Sequence, residues 1–391
     1  MNKFMNKTIT AREAAAILGV SPATLYSYVS RGLLSSSSDS GVRAKRYAHD
    51  DVLRLAARRG DGKRAGHAVA AALSWGVPVL ETRIAHVDGG RLYYRGTDAC
   101  RMADQATLEQ AATLLWQPWL GDGAAGSAQR PVTPATGSQD ALFKAASSLA
   151  PLPRAMALLP LFATEEMEAD PMALLRLTAS LLLGTPASEQ PLHQQAATAW
   201  GLGSAAADVL RAALVVLADH ELNNSAFTVR CAASSGAALP LVLCAGLAAL
   251  SGPEHGGHYA LAKAVLLREA AAPGSAAVTA MTPGFGHPLY PDGDIRAAYL
   301  MARLQAHDGP ACAPYAALAA RAGATPRAQP SSDFALAALE LVLGLPDGAT
   351  LALLAMARTA GWIAHALEQR ADGRQMIRPR ARYVGEFGGA S

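Results

Sequence analysis

Thr350-Leu-Ala-Leu-Leu-Ala-Met-Ala-Arg358-Thr-Ala-Gly361-Trp-Ile-Ala-His365-Ala-Leu-Glu-Gln-Arg370 is the stretch from which the fold can be read. Leu354, Ala357, Gly361, Ala364 and Leu367 recur at spacings of three and four, which predicts a helix with one apolar face. The same spacing governs most of the chain from Ala106 onward, broken by Gly and Pro. The apolar half of the composition is mainly Ala and Leu, with few aromatic or β-branched residues, and this bias favours helices over sheets. The expected class is all-α. One exception is expected between Gly76 and Gly96, where two alternating stretches meet at Asp88-Gly89-Gly90, a hairpin signal.

A length of 391 residues suits two or three domains. The first 66 residues carry 12 Lys/Arg against 5 Asp/Glu, and the remainder 22 against 26, so a basic head of +7 precedes a body of −4. Met1–Thr10 has no apolar segment of signal length. The run Ala237–Leu250 falls short of the ~20 residues needed to span a bilayer. Four scattered cysteines (Cys100, Cys231, Cys244, Cys312) without a CxxC pair suit free thiols, and a cytoplasmic location with no membrane contact is expected.

In the head, Thr10-Ala-Arg-Glu13 has capping-box spacing before Ala14, Ala15, Ile17 and Leu18. Ser21-Pro22 opens a second helix through Leu25 and Val29 to Arg31-Gly32. A Ser-rich hairpin tip, Ser35–Ser40, precedes the basic stretch Arg43-Ala-Lys45-Arg46-Tyr47, and Asp50 caps a third helix, Asp51–Arg59. Through Thr10–Gly19, Ser21–Gly32 and Arg43–Leu55 this order resembles the winged helix-turn-helix of the MerR/excisionase group. The resemblance implies DNA contacts from Thr24, Tyr26, Tyr28, Arg31, Arg43, Lys45 and Arg46, with Ser21 and Ser27 also near a groove. The competing reading is a small domain that binds nothing. Asp61–Gly66 reads as a linker. Gly121-Asp-Gly-Ala-Ala-Gly126 matches a dinucleotide fingerprint literally, but Pro131, Pro134 and small polar residues follow it, so it is read as a surface loop.

Four clusters could carry chemistry: Asp219-His220-Glu221-Leu-Asn223, Gly252-Pro-Glu-His255-Gly256-Gly257, Gly284-Phe-Gly286-His287 with Asp294-Ile-Arg296, and Ser331-Ser-Asp333-Phe334. Each sets an ionisable group beside Gly, Pro or small polar residues, the composition of loops and helix ends. Arg358 in an apolar helix requires an anionic partner. Together with Arg296 and Arg378 it could clamp a dicarboxylate, since guanidinium pairs with carboxylate bidentately.

These clusters resemble those of citrate synthases over Gly76–Gly96, Asp219–Arg230, Ser251–Gly257, Pro283–Arg296, Asp333–Phe334, Ala357–His365 and Ile377–Gly385. The resemblance implies a dimer of large and small helical domains: residues 76–257 and 339–391 in the large one, 258–338 in the small one. These follow a 1–60 head and a 61–75 linker. It implies condensation of acetyl-CoA or propionyl-CoA with oxaloacetate, with no permanently bound cofactor and acyl-CoA as co-substrate. Asp333 would take the acyl α-proton, His255 would stabilise the enol, and His287 would polarise the keto carbonyl. His220, Arg296 and Arg358 would hold the oxaloacetate carboxylates, with Arg378 entering from the second subunit. Arg321 and Arg327 would touch CoA phosphates.

The chain departs from the family pattern at Glu254, His258-Tyr259, Pro288 and Ser331. Glu254 is expected to raise the pKa of His255 or to repel an enolate. His255 and His258 alone, without a Cys or carboxylate at ligand spacing, do not make a metal site. Two other classes compete: a DNA-binding regulator that uses the body as a metabolite sensor, and a structural dimer with both functions lost.

Overall fold

In the computed structural model, residues 8–18, 20–21, 24–25, 28–29, 36–38, 45–48, 52, 80–120, 137–275, 277–324, 327–373 and 376–379 are described. The chain divides into two compact units, Met1–Glu81 and Thr82–Ser391.

The first unit holds β1 (Thr8–Thr10), α1 (Ala11–Leu18), β2 (Ser36–Ser38) and β3 (Lys45–Ala48), in an antiparallel sheet of order β1-β3-β2. The capping box forms: Thr10 N donates to Glu13 Oε2 at 2.8 Å and Glu13 N to Thr10 Oγ1 at 3.3 Å. Ser21 Oγ accepts from Thr24 N at 3.2 Å, and Thr24, Leu25, Tyr28 and Val29 are helical, as the Ser-Pro start predicts. Ile9, Ala14, Ala15, Leu18, Leu25, Tyr47 and Val52 form its core. The serine run is corrected here: Ser36–Ser38 is a strand paired with Lys45–Tyr47, because Tyr47 anchors the sheet in that core. Tyr26, Ser27, Arg31, Arg43, the linker and all of the predicted third helix except Val52 lie outside the described residues.

The second unit opens with β4 (Ala85–Asp88), β5 (Arg91–Tyr94) and the short β6 (Thr97–Asp98). The expected hairpin turns at Gly89 (φ +53°) and Gly90 (φ +73°), the left-handed pair that suits a two-residue connection. The helices follow: α2 (Ala99–Ala103), α3 (Leu108–Trp116), α4 (Gly137–Ala145), α5 (Pro151–Phe162), α6 (Pro171–Leu183), α7 (Leu192–Ala199) and α8 (Ser204–Val216). Then come α9 (Asn224–Ser234), α10 (Leu239–Leu250), α11 (Tyr259–Ala271), α12 (Ile295–His307), α13 (Gly309–Gly323), α14 (Ser332–Leu343) and α15 (Ala349–Ala371). The Gly121–Gly126 motif lies outside the described residues.

Helix α15 organises this unit. It packs against α3, α5, α6, α8, α9, α10 and α14, and nearly all of its residues from Ala349 to Gln369 are buried. The expectation of a single buried face is therefore too narrow. Small Ala and Gly residues on every side let neighbours approach all round, which turns an apparently amphipathic helix into the core. The helix is long and apolar enough to cross a membrane, yet 89% of that window is buried inside the fold, as befits a core helix. Helices α11, α12, α13 and α14 pack on one another as a group, joined to α15 through α14.

Gly361 marks the closest approach to α15. Its N–H reaches Ala218 O at 3.2 Å, and a Cβ there would collide with Asp219 Oδ1 and lie 2.6 Å from Ala218 O. Gly361→Ala gains ~1 kcal/mol of helix propensity, but overpacking costs ~1–3 kcal/mol. It also displaces Asp219 from its 3.1 Å contact with His365. A net loss of stability, read as a lower thermal midpoint, is expected; a midpoint at or above wild type would refute the close packing.

Candidate active site

Six segments converge at the middle of this unit. The turn after α8 supplies His220, the turn after α10 supplies His255 and His258, and the 283–294 loop supplies His287 and Tyr290. The first turns of α12 and α14 carry Arg296 and Asp333, and Arg358 comes from the middle of α15. His220 lies between α8 and α9, His255 between α10 and α11, His287 between α11 and α12, and Asp333 at the start of α14, so the four motifs sit where the backbone leaves one helix to start another.

His220 Nε2 lies 3.0 Å from Tyr290 Oη, and its ring meets that of His287 edge-on at 5.2 Å. Burial holds the His220 pKa well below its ordinary value, with the charges of Arg296 and Arg358 adding to the effect. His287 is brought down to about 4 by burial and then by Arg296. Its Nδ1 accepts the Leu289 N–H at 3.2 Å, so the neutral ring carries its proton on Nε2 and can donate from there.

His255 is likewise lowered to about 4, by burial and by Arg358. Its Nε2 lies 2.9 Å from Ser225 Oγ, which also takes the Trp362 Nε1–H at 3.2 Å and donates to Asn223 Oδ1 at 2.7 Å. Asn223 Oδ1 accepts the N–H groups of Ser225 and Ala226 as the cap of α9, so it can only accept from the hydroxyl. In this arrangement His255 Nε2 is a donor and Nδ1 is bare; turning the Ser225 proton toward Nε2 moves the imidazole proton to Nδ1. The expectation that Glu254 raises His255 is corrected. Its charge does not figure in the His255 shift; it acts on His258, raising it.

These shifts set an acid limit on stability. His255 and His287 bind fewer protons folded than unfolded below pH 6.5, so unfolding free energy falls as pH drops from 6.5 toward 4. The loss is on the order of 3 kcal/mol for each. The urea midpoint should fall steeply across that window; a flat midpoint would contradict the buried neutral imidazoles.

The two central arginines differ. Arg296 gives Nε and Nη2 to Asp294 at 2.9 and 2.7 Å and stacks over Tyr290 at 5.2 Å. Burial alone would raise Asp294, but Arg296 outweighs it and holds the carboxyl below its ordinary range. Asp294 Oδ2 also accepts the Ser332 N–H at 3.0 Å, tying the starts of α12 and α14 together. Arg358 is only 6% exposed, and its Nε and Nη1 have no hydrogen-bond partner among the described residues. Burial, and then Arg296, lower its pKa, while Asp219 opposes them. A buried guanidinium with open donors is poised for an anion.

Asp333 lies in the first turn of α14, and its side chain is 28% exposed. Of the other expected residues, Arg321 is engaged by buried Glu269 at 2.7 Å. Arg327 is exposed at φ +61°, with its carbonyl against the backbone that precedes His287. Arg378 is exposed beside Ile377, whose N–H donates to Ser234 Oγ at 3.1 Å, and it makes no contact with the cluster among the described residues. The sequence reading overlooked Ser225, Tyr290 and Trp362, ordinary polar and aromatic residues whose partners are remote in sequence.

Residues 72–380 match the family model described as citrate synthase, C-terminal domain, and residues 8–60 match a helix-turn-helix domain. The citrate synthase of Haloferax volcanii is 33% identical over 199 residues, covering 46% of this chain and 51% of its own length. The 2-methylcitrate synthase 2 of Corynebacterium glutamicum is 31% identical over 185 residues, covering 44% and 48%. The chain thus spans about half the length of the curated relatives it matches. Among solved structures, the citrate synthase of Thermotoga maritima superposes with a TM-score of 0.62 at 23% identity, over 81% of this chain and 96% of its own. That of Thermoplasma acidophilum, solved as a ternary complex with carboxymethyl coenzyme A and oxaloacetate, gives 0.63 at 21%, over 81% and 96%. With the helical body, the hairpin and the helix-start clusters in place, the chain belongs to the citrate synthase family and carries a helix-turn-helix domain at its N-terminal end.

Proposed function

We propose that the body condenses an acyl-CoA with oxaloacetate and releases citrate or 2-methylcitrate and CoA. The observation that carries this reading is Arg358, a buried cation whose Nε and Nη1 have no hydrogen-bond partner among the described residues, set among neutral imidazoles and an ionisable carboxylate. Asp333 takes the α-proton of the thioester. His255 donates from Nδ1 to the thioester oxygen once Ser225 has turned its proton to Nε2, stabilising the enolate where charge develops. The α-carbon attacks the keto carbon, and His287 Nε2–H polarises that carbonyl and protonates the alkoxide. Water then cleaves the thioester and CoA leaves as the thiol.

His220 and Arg358 hold the oxaloacetate carboxylates, with Arg296 oriented by Asp294 beside them and Arg378 supplied by a second subunit of a homodimer. Arg327, exposed beside the 283–294 loop, suits a CoA phosphate better than Arg321, which Glu269 already occupies. Residues 258–338, which hold α11 to α13 and the first half of α14, form the small domain that closes over the cleft and excludes water. Acetyl and propionyl donors differ by one methylene, worth ~1–3 kcal/mol of discrimination. The test is thiol release from acetyl-CoA and propionyl-CoA with oxaloacetate; no release from either donor overturns the proposal.

A second reading concerns the head, where β3 carries Lys45 and Arg46 within the helix-turn-helix match. As a DNA-binding unit, with Thr24, Tyr26, Tyr28, Arg31 and Arg43 as further contacts, it would make the protein a regulator with the body as metabolite sensor. Replacing both Lys45 and Arg46 with Ala should weaken binding and lower the salt slope by about 2. A wild-type protein that binds no DNA at low salt would end this reading.

A further inference from the structure

His258 stands outside the family pattern, and its only role in the sequence reading was as a rejected metal ligand. In the structure its Nδ1 lies 3.1 Å from Asp333 Oδ2, the one side-chain hydrogen bond that Asp333 makes among the described residues. His258 ends the three-residue 3-10 turn Gly256–His258 and precedes the first residue of α11, while Asp333 sits in the first turn of α14. The His258 N–H donates to His255 O at 3.1 Å. A single rigid turn therefore joins the imidazole expected on the thioester oxygen to the carboxylate expected on the α-carbon, two groups that must reach adjacent atoms of one acyl group.

We propose that His258 is a positioning residue for Asp333: it holds Oδ2, fixes the carboxylate plane against the His255 turn, and leaves Oδ1 to take the carbon-bound proton. This inference rests on Asp333 being the base. The groups that face the pair are Glu254 and His255 from the same turn, and Arg358 from α15 faces His255. Tyr259 of α11 turns toward Glu340 and Asp347, and His287 of the neighbouring loop also faces Asp333. The hydrogen bond that His258 Nδ1–H donates to Asp333 raises His258 above its ordinary value; burial opposes it, and the charges of Asp333 and Glu254 add to the rise. A cationic His258 weakens Asp333 as a base. Turnover therefore rises with pH through a limb above the ordinary histidine value, and that limb belongs to His258.

Three measurements test this. In His258→Asn the amide Nδ2 stands where Nδ1 stood, so the hydrogen bond survives but the titration does not. This variant should recover most of kcat at pH 9 and lose the limb. His258→Ala should lose the limb and about tenfold in kcat, with little change in either KM, the rate equivalent of one oriented hydrogen bond. In the NMR titration, the His258 ring, assigned by its disappearance in His258→Asn, should move down toward its ordinary value in Asp333→Asn. Persistence of the limb in His258→Asn, unchanged kcat in His258→Ala, or a His258 titration indifferent to Asp333→Asn overturns the positioning role alone. Absence of wild-type turnover with either acyl-CoA overturns the reaction itself, and the role with it.

Discussion

Replacing Arg358 with methionine is expected to raise KM for oxaloacetate by ~10²–10⁴-fold while the thermal midpoint holds or rises. Charge-assisted hydrogen bonds from Nε and Nη1 to oxygens of the anionic substrate are worth ~1.5–3 kcal/mol each, and the sum corresponds to that loss of affinity. The stability sign is the unusual part. Truncating a buried arginine ordinarily destabilises by stranding its partner, but these two nitrogens have none among the described residues. What the substitution removes is the cost of holding a cation in the core, and methionine fills a similar volume without it. Asp219 is the nearest counterweight, and its charge raises the Arg358 pKa without supplying a hydrogen bond to Nε or Nη1. A marked fall in stability with KM unchanged would show that Asp219 is the true partner and that Arg358 is structural.

Asp333→Ala is expected to lower kcat by ~10²–10⁴-fold, the usual contribution of a positioned general base, with both KM values nearly unchanged. The fold should tolerate it. The side chain is 28% exposed and, among the described residues, bonded only to His258, and losing a charge from the first turn of α14 costs ~0.3–1 kcal/mol. The readout is single-turnover thiol release at saturating substrates. A kcat within tenfold of wild type would place the base elsewhere.

Legibility followed range in the sequence. The hairpin at Gly89-Gly90, the Thr10–Glu13 capping box and the long helix near residue 360 were readable because each is decided by residues a few positions apart. The motifs around His220, His255, His287 and Asp333 were readable as helix-start clusters for the same reason. The serine run of the head was misassigned because its strand character depends on pairing with Lys45–Tyr47, seven or more residues away. Glu254 was assigned to the wrong histidine because adjacency in sequence does not fix which way two side chains turn.

What the sequence determined by itself is the helical body, the separate basic head and the four clusters that set ionisable groups beside Gly, Pro or small polar residues. Those follow from periodicity and residue type, which are local. Only the tertiary structure decided that Arg296 is already held by Asp294 while Arg358 Nε and Nη1 find no partner among the described residues, that Ser225 Oγ lies against His255 Nε2, and that His258 meets Asp333. Those outcomes depend on distances and burial between segments up to about 140 residues apart, such as Ser225 and Trp362. Burial can shift a histidine by more than two units and turn an ordinary charge into a ligand-seeking one, and periodicity carries no such information.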